Sequence, residues 1–257
     1  TYAQQVTRTY NSPAGVTGTG ALITSGTYRQ GIEVKSSGTN PSTPAIYGCD
    51  LNGNNIYDES DDGEWITCNY LRWSDLTAYL DWAALRPMTE LEYEKACRGT
   101  LNPVINEFAW GNTTYISLSS ILTGGQASES SSPANANMHN SGMNGGPVRT
   151  GIFATSTSNR SASGASYYGI MDLSGNVWEQ VISIANNNCR NFTGLVGDGV
   201  LDNSGDSNVT LWPVGTDIGL RGGSFTSSNE TARVSDRSSI TAGATSRNID
   251  YGGRGVR

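Results

Sequence analysis

The chain reads as a loop-rich α+β domain with two short helices and small antiparallel sheets. Three observations predict this. Apolar residues recur at helical spacing in two stretches between residues 74 and 99, and short strand-like alternations mark the first 48 residues. Beyond Gly99 the chain is rich in Gly, Asn and Ser, with short apolar pieces and no helical period. Trp110, Trp178 and Trp212 lie in that region and need somewhere to pack, which argues against a low-complexity tail. A length of 257 residues suffices to bury a real core. No apolar run reaches the roughly 18 residues of a transmembrane helix. The formal charge is −7, from 16 basic and 23 acidic residues with no basic patch, so neither nucleic-acid binding nor membrane insertion is expected.

Taken in order, residues 1–48 are rich in Thr, Ser, Gly and Val and form a β-rich N-terminal extension. Gln5-Val6-Thr7-Arg8-Thr9-Tyr10 alternates as a strand does, and Pro41 and Pro44 punctuate the end. Residues 50–63 are turn-formers and acids, hence a loop. The first helix carries Leu76, Tyr79, Leu80 and Ala83 on one stripe, with Ser74 or Asp75 as its cap. The second follows Pro87. Thr89 caps it, Glu92 three residues on completes a capping box, Leu91, Tyr93, Ala96 and Cys97 supply apolar content, and Gly99 stops it.

Cys49, Cys68, Cys97 and Cys189 show no zinc spacing. Cys49 and Cys68 flank the acidic loop as a local disulfide would; four buried thiols are the alternative, and four cysteines allow three pairings. A secreted or cell-surface location is expected, with the targeting segment absent from this chain. Within the loop, Asp50, Asn52, Asn54 and Asp58 have spacing that begins like a calcium-binding EF-hand. The pattern then breaks, with Gly53 at position 4 instead of 6 and Asp61 at position 12 instead of Glu. Local carboxylates there could still hold calcium; the alternative is a solvated acidic loop.

Several motifs occur in a collinear series: Leu71-Arg-Trp-Ser-Asp75, Arg86-Pro-Met-Thr-Glu90 running to Gly99, Phe108-Ala-Trp-Gly111, Ala136-Asn137, and Gly146-Pro-Val148. Tyr168-Gly-Ile-Met-Asp-Leu-Ser-Gly-Asn-Val-Trp-Glu179, Arg221-Gly-Gly-Ser-Phe225, Arg233 with Arg237, and Gly255-Val-Arg257 follow. Together they resemble the formylglycine-generating-enzyme (sulfatase-modifying factor) family, which implies a C-type-lectin-like fold for residues 49–257. That family's enzymes hold copper on two cysteines shortly after the Gly-Gly-Ser-aromatic motif. The matching positions here are Ser227 and Ala232, and 221–257 contains no cysteine. A related branch binds iron through several histidines, whereas this chain has the single His139, to which a solvent-facing or loop-ordering role is assigned. Neither copper nor iron is therefore expected.

The resemblance implies calcium on the side chains of Asp172 and Glu179 with the carbonyls of Gly175 and Val177. It places a second site near Asn137, the Met138 carbonyl, Asn140 and the Gly142 carbonyl. It also suggests a ligand face between Phe225 and Tyr251, with Ser227, Asn229, Asn248 and Tyr251 as candidate contacts. Arg221, Arg233, Arg237, Arg247, Arg254 and Arg257 are read as partners of buried carboxylates such as Glu90, Glu92 or Glu94, with an anion or sulfated-glycan site as the alternative. The function expected is a non-catalytic, calcium-stabilised module that binds a protein or glycan ligand or mediates adhesion. The alternatives are a subunit that assembles with copies of itself through its N-terminal strand, and a metal-dependent oxidoreductase with an unrecognised centre.

Overall fold

The computed structural model describes residues 1–257 except 12, 14–16, 25, 143 and 144. The chain opens on a helix, α1 (Tyr2–Arg8), where alternation predicts a strand. The Thr1 and Gln4 side chains close a reciprocal cap at its start, and an isolated seven-residue helix would need further support. Arg8 at its end supplies that support, pairing with Asp75 at 2.6 Å and with Asp206. One strand does follow. β1 (Ile32–Ser36) pairs antiparallel with β2 (Ile46–Cys49), and residues 18–21 bond its other edge through Thr19 O to Val34 N and Ala21 N to Ile32 O, both 2.9 Å. With both edges of β1 taken within the chain, it has none to donate to a neighbour's sheet. Arg247 further ties this region down by donating to the carbonyls of Arg8 and Leu22 at 2.8 and 2.9 Å.

α2 (Trp73–Trp82) begins slightly earlier than its composition suggests. Arg72, not Ser74 or Asp75, occupies the cap position, and the Asp75 carboxylate reaches back to the Arg72 N–H at 3.3 Å. Trp73, Leu76 and Leu80 point inward, while the buried Asp81 accepts from the Asp198 and Asn208 amides at 3.0 and 3.1 Å. A carboxylate on a helix thereby orders a loop at 198–208, distant in sequence. After β3 (Arg86–Pro87), α3 (Glu90–Arg98) carries the capping box expected at Thr89 and Glu92. Arg86 holds the Glu92 carboxyl down to about 2 against the effect of burial. Gly99 ends the helix at φ +63°, and a Cβ there would lie 2.0 Å from the Tyr167 ring, so both conformation and packing require glycine.

The remaining strands are short: β4 (Ser120–Leu122), β5 (Ser130–Ser132), β6 (Trp178–Val181), β7 (Gly219–Arg221), β8 (Tyr251–Gly252) and β9 (Gly255–Val256). They form the pairs β4–β5 and β3–β9 and a three-stranded sheet in the order β7-β6-β8. β6 runs antiparallel to β7 but parallel to β8, a departure from the purely antiparallel expectation. Parallel pairing is possible because a long connection that includes β7 separates the two strands in sequence. Tyr93, Phe108, Trp110, Met138 and Leu173 build one core cluster; Trp73, Leu80, Trp178, Ile218 and Leu220 build a second. Among the described residues no helix is long and apolar enough to cross a membrane.

Arg221 on β7 lies between these layers and is 1% exposed. Its guanidinium stands over the Tyr93 ring at 4.9 Å, donates to Val234 O, and pairs with Glu90 and Glu94 of α3 at 3.2 Å each. Arg237 joins the same two carboxylates from the outside, 42% exposed. Removing one partner of a buried pair strands the other charge in low dielectric. Arg221→Met is expected to cost about 3–5 kcal/mol in urea unfolding, whereas Arg237→Ala costs under about 1 kcal/mol because water already screens it.

Candidate functional site

The collinear motifs converge on the turn at 172–179. Asp172, Gly175 and Asn176 take positive φ values of 59°, 91° and 67°, which bend the backbone tightly enough to face three other segments. Gly175 N donates to Gly222 O at 2.8 Å, Asn176 N to His139 O at 2.9 Å, and Phe225 N to Asn176 O at 2.7 Å. The Asn176 amide accepts from Val148 N at 3.0 Å. Tyr93 of α3 donates from its hydroxyl to Leu173 O, and Ser174 bridges Ala109 N and Ala232 O. The segments quoted for the resemblance are thus one hydrogen-bonded unit.

Sulfatase-modifying factor enzyme 1-like is the description of the family model that matches residues 50–257. The chain belongs to this family. A comparison with curated proteins gives no match. Membership brings the C-type-lectin-like fold with it, and the family match begins where the acidic loop does.

In this family member, Asp172 and Glu179 come together around a third residue that the sequence reading grouped only with the arginine scaffold. Arg254 donates from Nε to Glu179 Oε1 at 3.0 Å and from Nη2 to Met171 O at 2.6 Å. Glu179 is 1% exposed, and burial pushes its carboxyl up to about 8 against the opposing pull of Arg254. Burial likewise raises Asp172, whose Oδ2 accepts from Gly151 N at 2.8 Å. Among the described residues Glu179 Oε2 has no hydrogen-bond partner. A Cβ at Gly222 would stand 2.4 Å from that oxygen. One of the two carboxylates, Glu179, is therefore already bonded by a guanidinium. A divalent ion would face a like charge bonded to the same carboxylate, so the residues do not fit both cations at once.

Residues of the second implied site also bond within the protein. Asn137 Oδ1 accepts from Ile116 N at 2.8 Å, Met138 O from Leu118 N at 2.9 Å, and Asn140 Oδ1 from Ser117 Oγ at 2.7 Å, while Gly142 bonds through its N–H to Phe225 O. His139 is buried, not solvent-facing. It stacks on Phe225 at 5.9 Å and its Nε2 meets Gly146 O at 2.9 Å, which is the loop-ordering role.

In the acidic loop, Asp50 accepts from the Asn54 and Asn55 amides at 3.1 and 2.9 Å, Asn52 from Asn54 N at 2.9 Å, and Asn54 from Ile56 N at 2.7 Å. Asn55 takes φ +65°, so the left-handed residue is an asparagine at position 6 in place of the glycine sought there. Asp58 points away to Lys35 at 2.6 Å and Cys49 N at 2.9 Å. The carboxylates that actually converge are Glu59, Asp61 and Asp62.

Cys49 and Cys68 are free thiols, correcting the disulfide expectation. Both line one cavity of about 150 Å³, but burial raises each thiol to about 11, helped at Cys49 by Glu64, Asp58 and Asp62. The thiolate needed for disulfide exchange is disfavoured in such surroundings. The candidate ligand contacts separate into two groups. Asn248 and Tyr251 line a cavity of about 190 Å³ formed by 242–248, which shares Ala244 and Thr245 with a cavity of about 350 Å³ beside Trp73 and Trp212. Asn229 lines neither, nor does Ser227, which joins Ser224, Thr226 and the buried Asp250 in a hydroxyl–carboxylate network.

Two outcomes follow. Glu179→Gln in an Arg254→Met background is expected to recover part of the stability lost by Arg254→Met alone, because it removes a buried acid that without Arg254 must be protonated on folding; a double variant no more stable than that single one would contradict the pairing. For His139, burial lowers the imidazole from 6.5 to about 4, so between those values the unfolded state binds more protons than the folded one. Its contribution is present above about 6.5 and is lost as pH falls towards 4. Chemical denaturation of His139→Gln across that window is expected to show a shallower pH dependence than the parent chain.

Proposed function

We propose that this chain is a non-catalytic member of its family, a secreted or cell-surface module that binds a protein or glycan through its C-terminal face. The observation that carries this reading is the state of the thiols. Soft copper requires thiolate or thioether donors. Residues 221–257 contain no cysteine, and Ser227 and Ala232 stand where the resemblance puts the ligands. Ala232 is fully buried against the Phe108 and Leu173 cluster, while Ser227 is engaged by Ser224. Elsewhere, burial holds Cys97 at about 12 and raises Cys189, besides Cys49 and Cys68 at about 11. The one histidine is spent on a carbonyl and a ring stack.

Binding is supported by the adjoining cavities at 242–251 and 212–215, where Tyr251 lines the first and Trp212 the second, each beside small polar side chains. Flat apolar rings with nearby hydroxyls and amides suit sugars and polar peptide surfaces alike. The test is a copper(I) titration against a chromophoric chelator, followed by oxygen uptake with a cysteine-containing peptide. The expected result is no site that outcompetes the chelator and no oxygen consumption. One tightly bound copper per chain together with peptide oxidation would overturn the proposal. A glycan array and its Tyr251→Ala counterpart then address the ligand, with loss of binding expected in the variant.

A further inference from the structure

The acidic loop between β2 and α2 holds a cluster that the scaffold leaves uncompensated. Residues 50–64 include the six acids Asp50, Asp58, Glu59, Asp61, Asp62 and Glu64 and no basic residue. Among the described residues Asp58 alone of these has a basic partner, Lys35. Carboxylate oxygens of Glu59, Asp61 and Asp62 lie within 4.8 Å of one another. Acids gathered at a surface are ordinarily just solvated. Asp62 is not at the surface. It is 0% exposed, its Oδ2 accepts from Glu59 N at 2.8 Å, and its Oδ1 is buried without a partner among the described residues. An orphaned, buried carboxylate oxygen is unfavourable unless a proton or a cation satisfies it.

We propose that Glu59, Asp61 and Asp62 together hold one divalent cation, calcium. The three ligands are hard oxygens, which excludes a soft metal as the natural occupant. Their irregular placement on a loop suits an ion that accepts six to eight oxygens at flexible angles; magnesium demands a regular octahedron and keeps much of its water. Asn52 and Asn54 stand at the rim, donating to Asp61 at 3.3 Å and Glu59 at 2.7 Å. A cavity of about 470 Å³ lined by Glu59, Glu64 and Trp65 gives solvent a path to the site. The backbone around the cluster is anchored on either side of Asp62's carbonyl, since Leu51 N donates to Asp62 O at 3.2 Å and Gly63 N to Gly125 O at 3.1 Å.

This goes beyond the non-catalytic reading and stands apart from the turn at 172–179. The test is isothermal titration of calcium chloride into the chelator-treated full chain, with the melting temperature recorded in parallel. One calcium per chain and a rise in melting temperature are expected. Asp62→Asn and, as a second variant, Glu59→Gln are each expected to weaken binding about tenfold or more, because affinity follows ligand charge. Asp172→Asn is expected to bind as the parent chain does. The proposal is overturned by no heat and no melting shift up to roughly 10 mM calcium, above the range of weak extracellular sites. It is equally overturned if Asp62→Asn and Glu59→Gln both bind like the parent chain, which would place the ion elsewhere.

Discussion

The architecture depends on one desolvated cation, the Arg221 guanidinium. It joins the β7-β6-β8 sheet to α3 through Glu90 and Glu94, to the following loop through Val234 O, and to the core through the Tyr93 ring. Regular secondary structure is sparse here, so a fixed polar hub does what long strands do in other folds. The same device recurs at smaller scale. Arg247 gathers Asp75 and the carbonyls of Arg8 and Leu22, Arg29 gathers Glu129 and Pro147 O, and Arg160 gathers the Cys97 and Ala109 carbonyls. A planar fork of five donors can satisfy several loop carbonyls and a carboxylate together, which a lysine cannot. The composition agrees, with only Lys35 and Lys95 against an abundance of arginine.

What the sequence made legible was whatever is decided locally or carried by a motif. The α3 capping box at Thr89 and Glu92 and its stop at Gly99 are short-range chemistry and stand as expected. The arginine expectation holds for Arg221, Arg237, Arg247 and Arg254 but not for Arg233, whose partner Glu230 is exposed; Glu92 is taken by Arg86 while Glu90 and Glu94 take Arg221 and Arg237. The helix at Tyr2–Arg8 carried a usable signal, the Thr1-x-x-Gln4 capping pattern, but the alternation over the next residues outweighed it. What decides that helix is Arg8 meeting Asp75 and Asp206, far away in sequence.

The sites were harder for the same reason. Nothing near Glu179 in sequence announces Arg254, which reaches it only because β6, β8 and the C-terminal turn are neighbours in space. In the acidic loop the D-x-N-x-N pattern drew notice to the residues that bond the loop's own backbone. The carboxylates left to meet each other come just after it. Glu179 is bonded by a guanidinium from the far end of the chain, and no motif announces that pairing, which is why function has to be argued from the site instead of the fold.

The most direct measurement is a crystal structure of the full chain grown with saturating calcium, using anomalous scattering to locate ions. The account predicts Arg254 seated on Glu179 and Met171 O, no metal between Asp172 and Glu179, and an ion on Glu59, Asp61 and Asp62. Calcium bound at Asp172 and Glu179 with Arg254 turned out to solvent would contradict it.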